Sequence, residues 1–270
     1  LGLLLKIAKV PRSSYYYHRD HLCEPEKHGS EQDAIKQICI ENKGRYGYRR
    51  VTLELHHRGF QTNHKLVMKL MKQAHLTCRL REKRYHSYHG EVGKIAPNLL
   101  KRDFKAMKPN LKWTTDITEF KLLGQKIYLS PIMDLFNGEI ISFAISYRPS
   151  FHPVTEMLKE AFLKIPDDTK LILHSDQGWH YQMRQYQKML KDKGIRQSMS
   201  RKGNCYDNSV MENFFGILKT EFYHKRRFYS IQQFSTELSE YIDYYNNRRI
   251  KVKLKGLSPI QFRTQSFIST

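Results

Sequence analysis

Between residues 31 and 78 apolar side chains return every three or four positions, the spacing of helices with one buried face. Ala34, Ile35, Ile38 and Cys39 mark a first helix, which stops near Asn42–Gly44. Tyr48–His57 reads as a second and ends against Gly59, a residue suited to a helix C-terminus. Asn63 is placed to cap a third, in which Leu66, Val67, Leu70 and Met71 form one apolar stripe. From Leu111 the period drops to two. Trp113, Thr115 and Ile117 fall on one side of a strand, and Thr114, Asp116 and Thr118 on the other. Lys126–Asp134 follows as a second strand, and Asn137-Gly138 turns the chain into a third, Glu139–Tyr147. A helix after Pro153, a buried strand Lys170–His174, a helix near 181–191 and a short strand Ile195–Met199 come next. Two long helices, 206–222 and 231–248, complete the order. Three strands followed by alternating helices and strands predict an α/β fold, a mixed sheet flanked by helices, with sites at strand ends.

These patterns divide the chain into five parts. Residues 1–30, with Pro11 and Pro25, read as irregular, and 31–78 as a small all-α helix-turn-helix domain. Residues 79–110 read as a basic linker, 111–224 as an α/β core and 225–270 as a helical region completing that core. The formal net charge of the 270 residues is +21. It is uneven, with 23 basic and 10 acidic residues in 1–110 against 24 and 16 in 111–270. Such an excess attracts polyanions, and a helix-turn-helix places its second helix in the major groove of DNA. Arg49, Arg50, His64, Lys65 and Lys69 are the expected DNA contacts of that domain. An ordinary three-helix bundle with a solvated basic face fits the same pattern. Cys23, Cys39, Cys78 and Cys205 show no zinc-ligand spacing, and reduced thiols are expected. No apolar run approaches the ~20 residues of a membrane span.

Three acids stand out by context. Asp116 lies on the polar side of the first strand, Asp176 just beyond a buried strand, and Glu212 on the exposed stripe of a helix. On a helical wheel Asn208 and Lys219 share that stripe. Carboxylates converging from strand ends repel one another unless a cation lies between them. Hard oxygen donors without a Cys/His set favour Mg2+ or Mn2+ over zinc. Two such ions ~4 Å apart can activate a hydroxyl and stabilise the leaving oxygen in phosphodiester displacement. Asp134 and Glu119 are rival acids. Asp207 is expected to cap the helix, and His174 and Gln177 either support the acids or DNA or simply form a turn. Solvated surface carboxylates remain the alternative for all three acids.

Trp113-Thr114-Thr115-Asp116-Ile117-Thr118, His174-Ser175-Asp176-Gln177-Gly178, the block Ser198–Phe215 and Leu218-Lys219-Thr220-Glu221 resemble the DDE transposases of insertion-sequence family three, the OrfB product. Residues 46–76 are similar to the family's helix-turn-helix. Tyr244-Tyr245-Asn246-Asn247-Arg248-Arg249 and Gly256-Leu257-Ser258-Pro259 are similar to its C-terminal signature. The resemblance covers nearly the whole chain and implies a ribonuclease-H-like core, close to that of retroviral integrases. It implies Asp116, Asp176 and Glu212 as the metal triad, with two Mg2+ ions when DNA is bound and Mn2+ as a substitute. Lys219 is implied as a contact to the element end, and Asn208, Arg201 and Lys202 join it as expected DNA contacts of the core. The implied partners are the terminal inverted repeats, target DNA and at least a second copy of the chain, in the cytoplasm of a bacterium at its nucleoid. An OrfA product, separate or fused, is a further expected partner, and a fused form places another DNA-binding part outside this chain. A stand-alone nuclease of similar core and a DNA-binding regulator without chemistry are the rival functions.

Overall fold

The computed structural model describes residues 1–20, 28–76, 78, 95–201, 205–224 and 226–268. The chain forms two compact units, Leu1–Cys78 and Arg79–Thr270. Residues 79–94, the first half of the expected basic linker, lie outside the described residues.

The first unit contains α1 (Gly2–Ile7), α2 (Arg12–Asp20), α3 (Gly29–Glu41), α4 (Tyr48–His57) and α5 (His64–Gln73). The irregular segment expected over 1–30 is therefore corrected by two short helices. Pro11 opens α2 rather than breaking it. Its carbonyl accepts the Tyr15 N–H at 3.1 Å, and a proline suits a helix start because it lacks only an N–H that has no partner there. The apolar stripes of α3, α4 and α5 meet as periodicity requires, burying Ile35, Ile38, Val51, Leu55, Val67, Leu70 and Met71. Asn63 caps α5, its side chain accepting from the Lys65 N–H at 2.9 Å.

In the second unit, β1 (Lys112–Thr115), β2 (Thr118–Leu122), β3 (Gln125–Asp134) and β4 (Ile140–Ser146) precede α6 (His152–Phe162). Next come β5 (Ile172–Ser175), α7 (Trp179–Gln182), α8 (Arg184–Asp192) and β6 (Arg196–Met199). A 3₁₀ turn (Cys205–Asn208) leads into α9 (Ser209–Leu218), a π-helical turn (Lys219–Tyr223), α10 (Ile231–Asn247) and α11 (Pro259–Ile268). Within the described residues the strands form one sheet in the order β2-β3-β1-β5-β6, with β4 along the other edge of β3. β1, β5 and β6 run parallel, and β3 is antiparallel to β1, β2 and β4.

β2 is a strand that periodicity missed. Thr115 pairs with Ile132 and Thr118 with Leu129, so β1 and β2 keep one register against β3 and are halves of one interrupted strand. Asp116 stands opposite Pro131 at the break. Proline has no N–H to give across the ladder, and Thr115 Oγ1 donates to the Pro131 carbonyl at 2.9 Å instead. The hairpin then turns at Leu123 and Gly124, both with positive φ, as a two-residue connection requires.

Alternation along β1 sends neighbouring side chains into different layers. Trp113 enters an apolar core with Val154, Met157 and Leu158 of α6 and Tyr186 and Leu190 of α8. Thr114 faces α9. On that side Phe120, Phe222, Phe228, Phe234 and Tyr241 pack ring against ring, with neighbouring centroids 5.0–5.7 Å apart. The C-terminal segment is tied in by polar bonds. Asn246 exchanges two 2.9 Å hydrogen bonds with the backbone of Ile140, and buried Arg249 donates twice to Glu221, at 2.9 and 2.7 Å. Among the described residues no helix is long and apolar enough to cross a membrane.

Candidate active site

Asp116 is the first residue past β1 and Asp176 the first past β5. These strands are parallel neighbours paired Lys112 with Ile172, Trp113 with Leu173 and Thr114 with His174. Continuing that register brings Asp116 level with Asp176, one strand spacing away, or about 4.8 Å. Each carboxylate is half-buried and anchored through one oxygen. Asp116 Oδ1 accepts from the Ile117 N–H at 2.7 Å, and Asp176 Oδ1 from the Gly178 N–H at 2.9 Å. Gly178 has a steric reason. A Cβ there would lie 3.0 Å from Asp176 Oδ1 and 3.3 Å from the Tyr181 ring.

Glu212 projects exposed from the first turn of α9 and acts on Asp116 through its charge. Burial, then the charges of Asp176 and Glu212, push the Asp116 carboxyl well above the usual carboxylate range, against the pull of the Ile117 N–H and Lys219. Burial likewise pushes Asp176 up. Lys219 is half-buried at the start of the π turn, with Nζ 5.5 Å from the centre of the Phe120 ring. Desolvation lowers its pKa, while Glu119 and Asp116 pull the other way. Among the described residues no three His, Cys, Asp or Glu side chains converge closely enough to chelate an ion as they stand. The donor set nonetheless suits a hard divalent cation, because it offers carboxylate oxygens whose repulsion such a charge would cancel.

Other candidates are occupied within the fold. Asp207 does not cap α9. Its carboxylate, 1% exposed, accepts from Asn98 at 3.0 Å, Arg102 at 2.9 Å and the Arg201 backbone and guanidinium at 3.0–3.1 Å. Arg201, expected on DNA, is thus drawn onto this acid; Lys202 lies outside the described residues. Asn208, also expected on DNA, is 4% exposed and accepts from Thr114 Oγ1 at 2.8 Å, so it pins α9 to β1. His174 is buried and, kept neutral by desolvation, links Ser198 Oγ to the Asp207 carbonyl at 2.8 and 2.9 Å. Gln177 donates to the Ser200 carbonyl at 3.0 Å. Of the rival acids, buried Asp134 is held by Arg263 and the Asn110 and Phe136 N–H groups, and Glu119 pairs with Lys126 at 3.0 Å.

Comparison with known proteins shows the family of the chain. Residues 106–205 and 212–267 match the Integrase core domain, and residues 29–84 match the HTH-like domain. The chain is 53% identical to the InsK protein of insertion sequence element IS150 from Escherichia coli K12, over 99% of this chain and 95% of that protein. It is 31% identical to the transposase InsF of insertion sequence IS3A from the same strain, over 97% and 93%. The chain belongs to the insertion-sequence transposases of family three, as an OrfB-type DDE polynucleotidyl transferase. Among solved structures, the HTLV-2 integrase catalytic core in complex with magnesium aligns at 15% identity and TM-score 0.47, over 58% of this chain and 98% of that one.

In the transposase's first unit, His64, Lys65, Lys69 and Lys72 are exposed along α5, and Arg49 is exposed on α4 beside Tyr48. Arg50 turns inward, donating to the Arg45 carbonyl at 3.3 Å and lying 5.5 Å over the Tyr46 ring. Tyr181 of the transposase went unremarked in the sequence. Its buried hydroxyl, beside Thr115 and within electrostatic range of Asp116 and Asp176, completes no well-formed hydrogen bond among the described residues. Its place five positions past Asp176 was the available signal.

Proposed function

We propose that this transposase cuts element ends and joins them to target DNA at a site formed by Asp116, Asp176 and Glu212. The observation that carries it is the equivalent register of Asp116 and Asp176 at the ends of adjacent parallel strands, with the charge of Glu212 in range. Ile117 and Gly178 fix one oxygen of each aspartate, leaving the other for a ligand. Two Mg2+ ions, or Mn2+, held by the three acids would supply Lewis acidity at the attacking and leaving oxygens. Water attacks the scissile phosphorus and frees a 3′-hydroxyl. That hydroxyl then attacks a target phosphodiester, whose own 3′-oxygen leaves. Lys219, whose charge acts on Asp116, would hold a phosphate of the element end.

Arg49, Lys65 and Lys69 offer exposed charge, and His64 an exposed ring, for the terminal repeats. Asn208 acts by positioning α9 rather than by touching DNA. Two ends must meet, so the working form is at least a dimer on DNA, joined by an OrfA product where one is supplied. Incubating the protein with labelled element-end DNA and Mg2+, and scoring nicked and joined products, tests the proposal. Asp116→Asn, Asp176→Asn and Glu212→Gln are each expected to reduce cleavage about 10³-fold, several kcal/mol of transition-state stabilisation, with DNA binding retained. Undiminished cleavage by any variant removes that residue from the site. Cleavage without joining would make the protein a nuclease, and binding without metal-dependent nicking a regulator.

A further inference from the structure

The chain has two tryptophans, and they lie in opposite environments. Trp113 is fully buried in the core, whereas Trp179 is 42% exposed at the start of α7, three residues beyond Asp176. Trp179 stacks on His180 with ring centres 3.6 Å apart and planes 29° from parallel. His180 is only 8% exposed, so the indole lies on a ring that the fold holds in place. Burial lowers the His180 pKa to about 4, which keeps that ring neutral at physiological pH. The short helix is braced as well. Gln182 donates to the Gln177 carbonyl at 2.5 Å, Gln177 to the Ser200 carbonyl at 3.0 Å, and Gln197 to the Tyr181 carbonyl at 2.7 Å.

A large aromatic face stacked on a buried ring three residues past Asp176 in a DNA-joining protein has one chemical complement. Aromatic side chains bind bases through their π-faces with little regard to sequence. A base inside a duplex has both faces covered by its neighbours, so only an unstacked base can occupy such a platform. We infer that Trp179, backed by His180, is a stacking platform for one unstacked nucleobase close to the scissile phosphate. That base comes from the end being cut or from the target strand being joined, and the chemistry of recognition is the same. The inference rests on the DNA-joining reading but not on which acids carry the catalysis.

Trp179 is its own reporter, because Trp113 is shielded from solvent. Tryptophan emission of the full chain carrying Asp116→Asn would be followed during titration with three DNAs. These are an element end fully paired, the same end with three unpaired terminal nucleotides, and a target duplex with a central mismatch. Quenching by the second or third beyond that by the first supports the platform and identifies the source of the base. Trp179→Phe should abolish the quench. Trp179→Ala should weaken binding of the unpaired DNA by about 5- to 160-fold, the range for removal of one stacking aromatic, and leave the paired DNA within about threefold. Unchanged emission at saturation with all three DNAs, or the same quench in Trp179→Phe, would overturn the inference. If the Asp116→Asn chain still cut DNA, Asp116 would leave the proposed site while this binding measurement stood.

Discussion

Asp207 and the Asp116–Asp176 pair are carboxylates withdrawn from water in the same unit, yet they are perturbed in opposite directions. Asp207 is the more buried, and hydrogen bonds from Arg201 and Arg102 hold its pKa far below the usual carboxylate range despite that burial. Asp116 has one backbone donor, a neighbouring aspartate and the charge of Glu212, and is pushed up. Burial alone does not distinguish structural acids from acids awaiting a ligand. The balance of partners does, and repulsion left uncompensated in a well-braced fold is the stronger pointer to function. Asp207 closes a clasp between the segment at 98–102, the turn at 201 and the start of α9.

Breaking the clasp should have the largest effect on stability. Asp207→Asn is expected to lower unfolding free energy by about 2–3 kcal/mol, the scale of lost hydrogen bonds to charged groups, as read by urea denaturation. Its pH dependence is specific. A depressed folded pKa contributes stability above the unfolded value of about 3.9, which is lost as the pH falls toward the folded one. The wild-type protein should therefore lose its advantage over Asp207→Asn in acid, and an undiminished gap there would refute the clasp.

Sharpening the other side of the comparison calls for smaller changes. Tyr181→Phe removes only a buried hydroxyl near the paired aspartates. It should raise the Mn2+ concentration needed for half-maximal thermal stabilisation by about tenfold, as loss of a group orienting metal ligands does; an unmoved midpoint would leave Tyr181 a packing residue. Asp116→Asn should raise the metal-free Tm by about 2–4 °C, as ~1 kcal/mol does in a unit of this size. For an acid with a raised folded pKa, stability declines as the pH climbs from the unfolded value through the folded one. The gain in Asp116→Asn should thus be greater at pH 8 than at pH 5, and a loss of stability at both would contradict the repulsion.

Much of this was legible along the chain because one side of each element is dry. The period of Ile35, Ile38, Val51, Leu55, Val67 and Leu70 located α3, α4 and α5 to within a few residues. Alternation at Trp113–Asp116 located β1. What escaped depends on partners far away. Alternation runs on through Thr118 as a single strand and gives no sign of a second one over Thr118–Leu122, because the break at Asp116 faces Pro131 on another strand. Residues 206–222 carry a continuous apolar period, yet they change from a 3₁₀ turn to an α-helix to a π turn. A uniform helical wheel therefore put Asn208 beside Glu212, when the 3₁₀ turn aims it at Thr114. Asp207 resembled a local cap, since neither Asn98 nor Arg102 is near it along the chain. The three proposed acids are singled out by strand ends and family resemblance together, since spacing along the chain says little.

The stitch between Asn246 and Ile140 decides where this protein can be trimmed. The amide of Asn246 stands in for one more rung beside β4, and Arg249 neutralises the buried Glu221, which also accepts from the Tyr241 hydroxyl at 2.9 Å, in the turn that carries Lys219. A fragment ending near residue 205 would keep both aspartates but lose α9 with Glu212, and it would also leave the Ile140 backbone without its amide partner. A shorter tool for genome insertion would have to begin from the intact carboxyl-terminal tail.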